Sequence, residues 1–220
     1  MSKTAQLLSI EQINRTIVID FEGFMDRPPS LVGTLIDDYY RCTVFTDVDP
    51  ALAIAADATG CVKAHLQAFL EGMIRFAIAE ERHIAAYTER ERNVFRDLCL
   101  GDLSDSPRFI NIRPPAKRWR RHVHPEAAQT AVRTKMVKGR KVKVGNRLVD
   151  FMPLLDQSIP STHAAGKTTK RLRDVIGQLN TRGSYAALTP TAKRKWTNLI
   201  KHNQRDCAWA SLLLTASAGF

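Results

Sequence analysis

Cysteine is scarce and scattered. Cys42, Cys61, Cys99 and Cys207 are the four in 220 residues, and no two form a Cys-x-x-Cys pair. That pattern argues against a thiolate zinc site or a disulfide framework and fits reduced thiols. No apolar run approaches the roughly 20 residues that a membrane span needs. The opening Met-Ser-Lys-Thr-Ala-Gln has neither the apolar core nor the cleavage site of a secretion signal. A cytoplasmic protein with no membrane segment is therefore expected. Acidic residues are also short, 22 against 33 Lys and Arg, which leaves a net charge of +11. An excess of this sign implies an anionic partner, nucleic acid first and an anionic membrane surface second. Hydrophobic content of 44% and charged content of 25% are ordinary for a globular chain, so the charge is imposed on a normal core.

The few acids that are present are placed unevenly. Thr16-Ile-Val-Ile19 is a β-branched, apolar run that suits a buried strand, and Asp20-Phe-Glu22 follows directly. Side chains alternate along a strand, so Asp20 and Glu22 leave the same face. Two acids held together repel and are costly to desolvate without a compensating cation. Mg²⁺ or Mn²⁺ with oxygen ligands is the usual compensation. The competing reading is a pair of solvated strand-end acids with no role.

Along the chain, residues 1–15 read as a lead-in. Ser30–Ile36, ending at Asp37-Asp38, and Tyr40–Thr46 supply two more strands, so the first three form an antiparallel meander. Asp47–Gly60 reads as a connecting loop. From Cys61 the residues Val62, Leu66, Phe69, Leu70, Met73 and Ile74 recur at helical spacing, giving a helix to about Ala79. Ile84–Tyr87 suits a short strand. Thr88 with Glu91 has the spacing of a capping box at the start of the next helix. Glu91 is also a candidate third carboxylate of a metal site.

Composition changes over residues 104–148. Ser104–Pro115 is loop-like, and Lys117-Arg118-Trp119-Arg120-Arg121 opens a basic region. His122-x-His124 would share one face of a strand there, and reads as surface residues near phosphates. Arg133–Arg147 alternates basic and apolar residues around Lys138-Gly139, a hairpin pattern. Lys117, Arg118, Arg120, Arg121, Lys138, Arg140, Lys141 and Lys143 are the candidate phosphate contacts. A solvated basic face, or one that meets acidic protein, has the same composition.

Leu148–Leu155 returns to core character and carries Asp150. Ser161–Thr168 is one glycine short of a phosphate-binding loop, because Ser161 stands where the first glycine belongs. Gly166-Lys167-Thr168 reads instead as the turn that opens a helix over Thr168–Leu179. A last helix is expected from Pro190 to about Leu214. It carries His202 and Asp206, which lie four residues apart and so share a face. The neutral alternative is an exposed helical His–Asp pair.

Taken together, Asp20-Phe-Glu22 on a first strand and Asp206 on a last helix resemble the DEDD-type 3′→5′ exonucleases of the ribonuclease H-like superfamily. The nearest likeness is to a bacterial branch with a Tyr-x-x-x-Glu segment and a closing Tyr-Asn-x-x-Asp-Cys segment. Tyr87-Thr-Glu-Arg-Glu91 resembles the former and His202-Asn-Gln-Arg-Asp206-Cys207 the latter. Leu148-Val-Asp150-Phe-Met and Leu172-Arg-Asp-Val-Ile176 are similar to segments between them. The chain departs from the pattern at His202, where the family mostly has Tyr, and in its basic insert. The resemblance implies an α/β fold, with a mixed sheet of antiparallel meander then parallel strands, flanked by helices. It also implies a single nuclease domain over 1–220 with a basic insertion at about 108–147. Two Mg²⁺ or Mn²⁺ ions would be held by Asp20, Glu22, Glu91 and Asp206, with Glu89 or Asp150 as substitutes for Glu91. His202 would orient or deprotonate water, so that activity falls as the imidazole protonates. The expected activity is phosphodiester hydrolysis in DNA or RNA. The alternatives are an idle nucleic-acid-binding module within a larger complex, and a basic adaptor for anionic proteins.

Overall fold

The structure is a computed structural model that describes residues 9–98, 109–131, 133–137, 140–163 and 167–220, with 131, 133–137 and 140–144 described by their backbone alone. A capped turn of helix, α1 (Ile10–Asn14), leads into β1 (Thr16–Gly23). β2 (Pro29–Ile36) and β3 (Tyr39–Phe45) follow as an antiparallel meander. Asp37 and Asp38 turn the chain between them with positive φ, 49° and 64°, a conformation that short polar side chains tolerate.

Among the described residues, six strands form one sheet in the order β4-β3-β2-β1-β5-β6. β4 (Val62–Ala64) pairs in parallel with β3, β5 (His83–Ala86) in parallel with β1, and β6 (Phe109–Asn111) in parallel with β5. The fold is thus α/β with a mixed sheet, antiparallel at its start and parallel outward, flanked by helices. Alternation along β1 sets the two faces. Ile17, Ile19 and Phe21 point to α3 (Leu66–Ala79) and α4 (Glu89–Leu98), packing with Leu70, Ile74 and Phe95. Val18 points the other way, toward Cys207, Ala210 and Leu213. Asp20 and Glu22 continue the Val18 side.

That second face is covered by α7 (Thr168–Arg182) and by α8 (Pro190–Ala216), a 27-residue helix. α8 starts as expected, with Thr189 capping through its hydroxyl and Pro190 in the first turn. Trp196, Leu199, Asn203, Cys207 and Ala210 follow one another at helical spacing and are all buried. One polar residue, Asn203, sits in this apolar stripe.

Several expectations need correction. Asp47–Gly60 is not only a loop, because its alanine-rich half forms α2 (Leu52–Thr59), closed by Gly60 at φ 73°. Alanine has the highest helix propensity, and Gly60 supplies the left-handed end at no steric cost. The helix expected from Cys61 begins only at Leu66, since Val62–Ala64 is taken by pairing with β3. The 113–123 stretch is a helix, α5 (Arg113–Val123), with Pro114 and Pro115 in its first turn, so His122 and His124 do not share a strand face. Proline fits that first turn because its missing N–H has no partner there anyway. A short α6 (Pro125–Ala131) follows. The basic hairpin forms as expected, β7 (Arg133–Val137) antiparallel to β8 (Arg140–Val144), as a separate two-stranded sheet. Two 3₁₀ turns, Leu148–Asp150 and Met152–Leu155, return the chain to the core. Cys99, Lys138 and Gly166 lie outside the described residues. Among the described residues no helix is long and apolar enough to cross a membrane. Cys42, Cys61 and Cys207 are free thiols.

Candidate active site

The pleat of β1 delivers Asp20 and Glu22 beneath α8, and one turn of α8 returns Asp206 and His202 to the same place. Carboxylate oxygens of Asp20, Glu22 and Asp206 lie within 4.8 Å of one another. Three of the acids expected to meet therefore do so, although 183 residues separate Asp20 from Asn203 beside it.

Asn203 fixes the cluster. Its amide donates to the Asp20 carboxylate at 2.7 Å and to the Asp20 carbonyl at 2.9 Å. Its own oxygen accepts from the Tyr40 hydroxyl at 2.9 Å. The space comes from Gly33 on β2, directly opposite Asp20 in register. A Cβ at Gly33 would lie 1.9 Å from the Asn203 oxygen, far inside contact distance.

Burial makes the cluster electrostatically expensive. The Asp20 carboxyl is held well above its ordinary pKa by desolvation, then by Glu22, Asp206 and Glu91, with the Asn203 bond opposing. Desolvation also raises Glu22, while Thr168 and Arg90 oppose it. Asp206 is raised by desolvation and by Glu22. Among the described residues, the ion-pair contacts of Glu22 and Asp206 are to histidines, not to lysine or arginine. A site of this kind must take up protons or a cation.

Glu91 is buried, at 6% exposure. Its carboxylate accepts from the Thr88 hydroxyl at 2.5 Å, while that hydroxyl accepts from the Arg90 N–H. The residue thus does capping work at the start of α4, and its charge still reaches Asp20 and Glu22. The two possible substitutes are occupied elsewhere. Glu89 accepts from Asn111 at 2.7 Å. Asp150 is partly buried, yet two Arg147 side-chain bonds and the Arg147 N–H hold its carboxyl below the usual range.

His202 is buried, and its Nε2 lies 3.2 Å from one Asp206 oxygen and 3.9 Å from Glu22. Sequence reading passed over His163. Its ring stacks on His202 with centroids 4.1 Å apart and an interplanar angle of 23°, and its Nε2 lies 3.4 Å from the other Asp206 oxygen. Desolvation is the main reason both rings are pushed below the ordinary histidine value, His202 to about 3 and His163 to about 4. Arg171 and Arg205 add to the effect. His163 carried no signal in the sequence because it belongs to no periodic element. Asn203 stood in the resembled segment, but its role needed Gly33 and Tyr40 to become visible.

The basic residues divide. Lys117 and Arg121 are exposed and one turn apart on α5. Arg118 donates to the Phe220 carbonyl at 2.5 Å. Arg120 corrects the expectation of a phosphate contact: it is 3% exposed, donates to the Gly145 carbonyl and the Asn146 side chain, and stacks over Phe151. It anchors the hairpin's return to α5. Arg140, Lys141 and Lys143 lie on β8. Closer to the acids, Arg90 and Arg171 act on Glu22 and Arg205 acts on Asp206. Arg171 donates to the Thr162 carbonyl, and its buried Nη1 has no partner among the described residues.

Comparison of the chain with family models, with curated proteins and with solved structures gave no match.

Proposed function

We propose that the chain is a divalent-metal-dependent nuclease that hydrolyses phosphodiester bonds in DNA or RNA, with the 3′→5′ exonucleolytic mode implied by its resemblance to the DEDD-type enzymes. One observation carries the reading: the Asp20, Glu22 and Asp206 carboxylates converge within 4.8 Å in a partly buried site where no lysine or arginine forms an ion pair with them among the described residues. The donor set is all oxygen, which fits Mg²⁺ or Mn²⁺. The strand order, three antiparallel strands with parallel strands added beside β1, supports a ribonuclease H-like arrangement.

Asp20, Glu22 and Asp206 would hold the ions, with Glu91 adding negative charge from α4. Bound there, the ions would stabilise charge on the attacking and leaving oxygens. The chain's own residues do the rest. Asn203 keeps Asp20 turned toward the other acids. His202, kept neutral by burial, offers a ring nitrogen to accept a proton from water. Arg171 and Arg90, whose charges act on Glu22, would meet a phosphate bound beside it. Lys117 and Arg121 extend the positive surface along the nucleic acid.

Incubating labelled single- and double-stranded DNA and RNA with the protein in Mg²⁺, in Mn²⁺ and in chelator tests this. Metal-dependent shortening of any of them supports the reading. Binding without hydrolysis under all conditions would point instead to an idle nucleic-acid-binding module, and neither binding nor hydrolysis to an adaptor for acidic proteins.

A further inference from the structure

His163 has no part in that scheme, yet it is placed against the proposed base. Its ring lies between His202 and Trp209, whose centroid is 4.5 Å away, and its residue exposure is 8%. Among the described residues, the Nδ1 atoms of both His163 and His202 are buried without a hydrogen-bond partner. Buried polar atoms of native proteins are bonded in the great majority of cases.

The opposite nitrogens of the two rings do have a partner. Nε2 of His202 and Nε2 of His163 approach different oxygens of Asp206, at 3.2 and 3.4 Å. One ligand atom from each of the three residues falls within 4.8 Å of the others. A tetrahedral zinc ion with bonds of about 2.0–2.1 Å has ligand–ligand edges of about 3.3 Å; each nitrogen stands about one such edge from its own Asp206 oxygen, and the stacked rings would splay apart to aim both lone pairs at one ion. Glu22, 3.9 Å from the His202 nitrogen, stands where a fourth ligand or a water would be. Burial favours the neutral imidazole, the form that binds metals. Imidazole selects borderline transition cations, whereas the neighbouring carboxylates suit Mg²⁺ and Mn²⁺.

We propose that His163, His202 and Asp206 form a second cation site, selective for Zn²⁺, and that filling it silences hydrolysis by occupying the His202 lone pair and withdrawing Asp206 from the oxygen-lined site. The inhibitory consequence rests on the nuclease reading above, whereas the binding does not. Nucleic-acid cleavage would then respond to the balance of Zn²⁺ against Mg²⁺ through one shared carboxylate.

Calorimetric titration of the full chain with zinc chloride in excess Mg²⁺ tests the site. Co²⁺ serves as an optical probe, because nitrogen ligation in a low-coordinate site gives visible d–d bands. Wild type should bind one Zn²⁺ and show those bands. His163→Phe keeps a ring in the stack but offers no lone pair, and His163→Gln removes the stack as well. Both should lose the bands and weaken Zn²⁺ at least about tenfold, the lower end of what disturbing a metal site costs. Asp20→Asn, outside the site, should keep both. Zn²⁺ should stop wild-type cleavage and leave Mg²⁺-driven cleavage by His163→Phe running. Unchanged Zn²⁺ affinity and Co²⁺ bands in both folded His163 variants would overturn the proposal and leave His163 as packing against Trp209. If wild type cleaves nothing, the binding results still decide the site, and the nuclease reading fails separately.

Discussion

Asn203 gives its amide group to Asp20 twice over, at the carboxylate and at the carbonyl, and so locks α8 to the strand that carries the first acid. The pair joins a helix to a central strand and fixes the direction of a side chain with three acidic neighbours. Asn203→Ala should leave the Asp20 carbonyl and the Tyr40 hydroxyl unpartnered, at about 1–3 kcal/mol for a buried group that loses its partner. Asn203→Asp should be worse, because it adds a further acid to the cluster. Denaturant unfolding of the metal-free variants measures both, and wild-type stability in either would remove Asn203 from the account.

Gly33 makes that lock possible. Its Cβ would overlap the Asn203 oxygen at 1.9 Å and meet Tyr40 at 2.9 Å. Gly33→Ala should therefore displace Asn203 and free Asp20, costing about 1–3 kcal/mol as overpacking does and reducing metal-dependent cleavage further than stability alone explains. Retained cleavage at wild-type rate would mean that Asp20 does not need its present orientation.

Much of this was legible before the fold was known. The period-two spacing of Asp20 and Glu22 and the period-four spacing of His202 and Asp206 each fix a face, because the geometry of one strand or one helix decides it. The meander was legible for the same reason, with β-branched runs broken by Asp37-Asp38 and Pro28-Pro29. What stayed hidden depends on partners distant in sequence. β4 is three residues long and exists through its pairing with β3. Arg120 looks like any other arginine of a basic run, and only Asn146, Gly145 and Phe151 show that it is buried. His163 acquires meaning from a ring 39 positions later in the chain, which no local pattern encodes.

Stability should depend on pH in a way that a cation reverses. Glu22 has its folded pKa raised above the unfolded value, from 4.5 to about 7, so its contribution is present below pH 4.5 and is lost as pH rises through 7. His202 has its pKa lowered to about 3, so its contribution is present above pH 6.5 and is lost as pH falls. The two oppose each other at acidic pH, and the carboxylate trend alone continues above 6.5. The melting temperature of metal-free protein should fall from pH 6.5 to 8, and Mg²⁺ or Mn²⁺ should restore it. Glu22→Gln should stabilise the metal-free protein at pH 8 by about 1–3 kcal/mol, since each tenfold change in proton affinity between the folded and unfolded chain is worth about 1.4 kcal/mol. A flat profile, or no response to either cation, would contradict the electrostatic account of the site.

Within the basic insert, two arginines one residue apart should behave oppositely. Arg120→Gln should destabilise the protein by about 1–3 kcal/mol through its lost bonds to Gly145 and Asn146, with little change in the salt dependence of binding. Lys117→Gln with Arg121→Gln should leave stability within about 0.5 kcal/mol and flatten the salt dependence of nucleic-acid binding by up to about two phosphate contacts. Fluorescence anisotropy across a salt series, beside thermal melts, reads both. An unchanged slope in the double variant would mark that face of α5 as merely solvated.

The central claim is that Asp20, Glu22 and Asp206 act together, through a divalent cation, to hydrolyse phosphodiesters. Single-turnover cleavage of end-labelled oligonucleotides by wild type and Asp20→Asn, in Mg²⁺, Mn²⁺ and chelator, addresses it most directly, with circular dichroism to confirm that the variant is folded. Neutralising Asp20 removes one of the mutually repelling charges, so the variant should fold at least as well as wild type without metal. The account predicts wild-type cleavage that needs the cation and falls to background in Asp20→Asn. Cleavage that survives in chelator, or a folded Asp20→Asn protein as active as wild type, would contradict it.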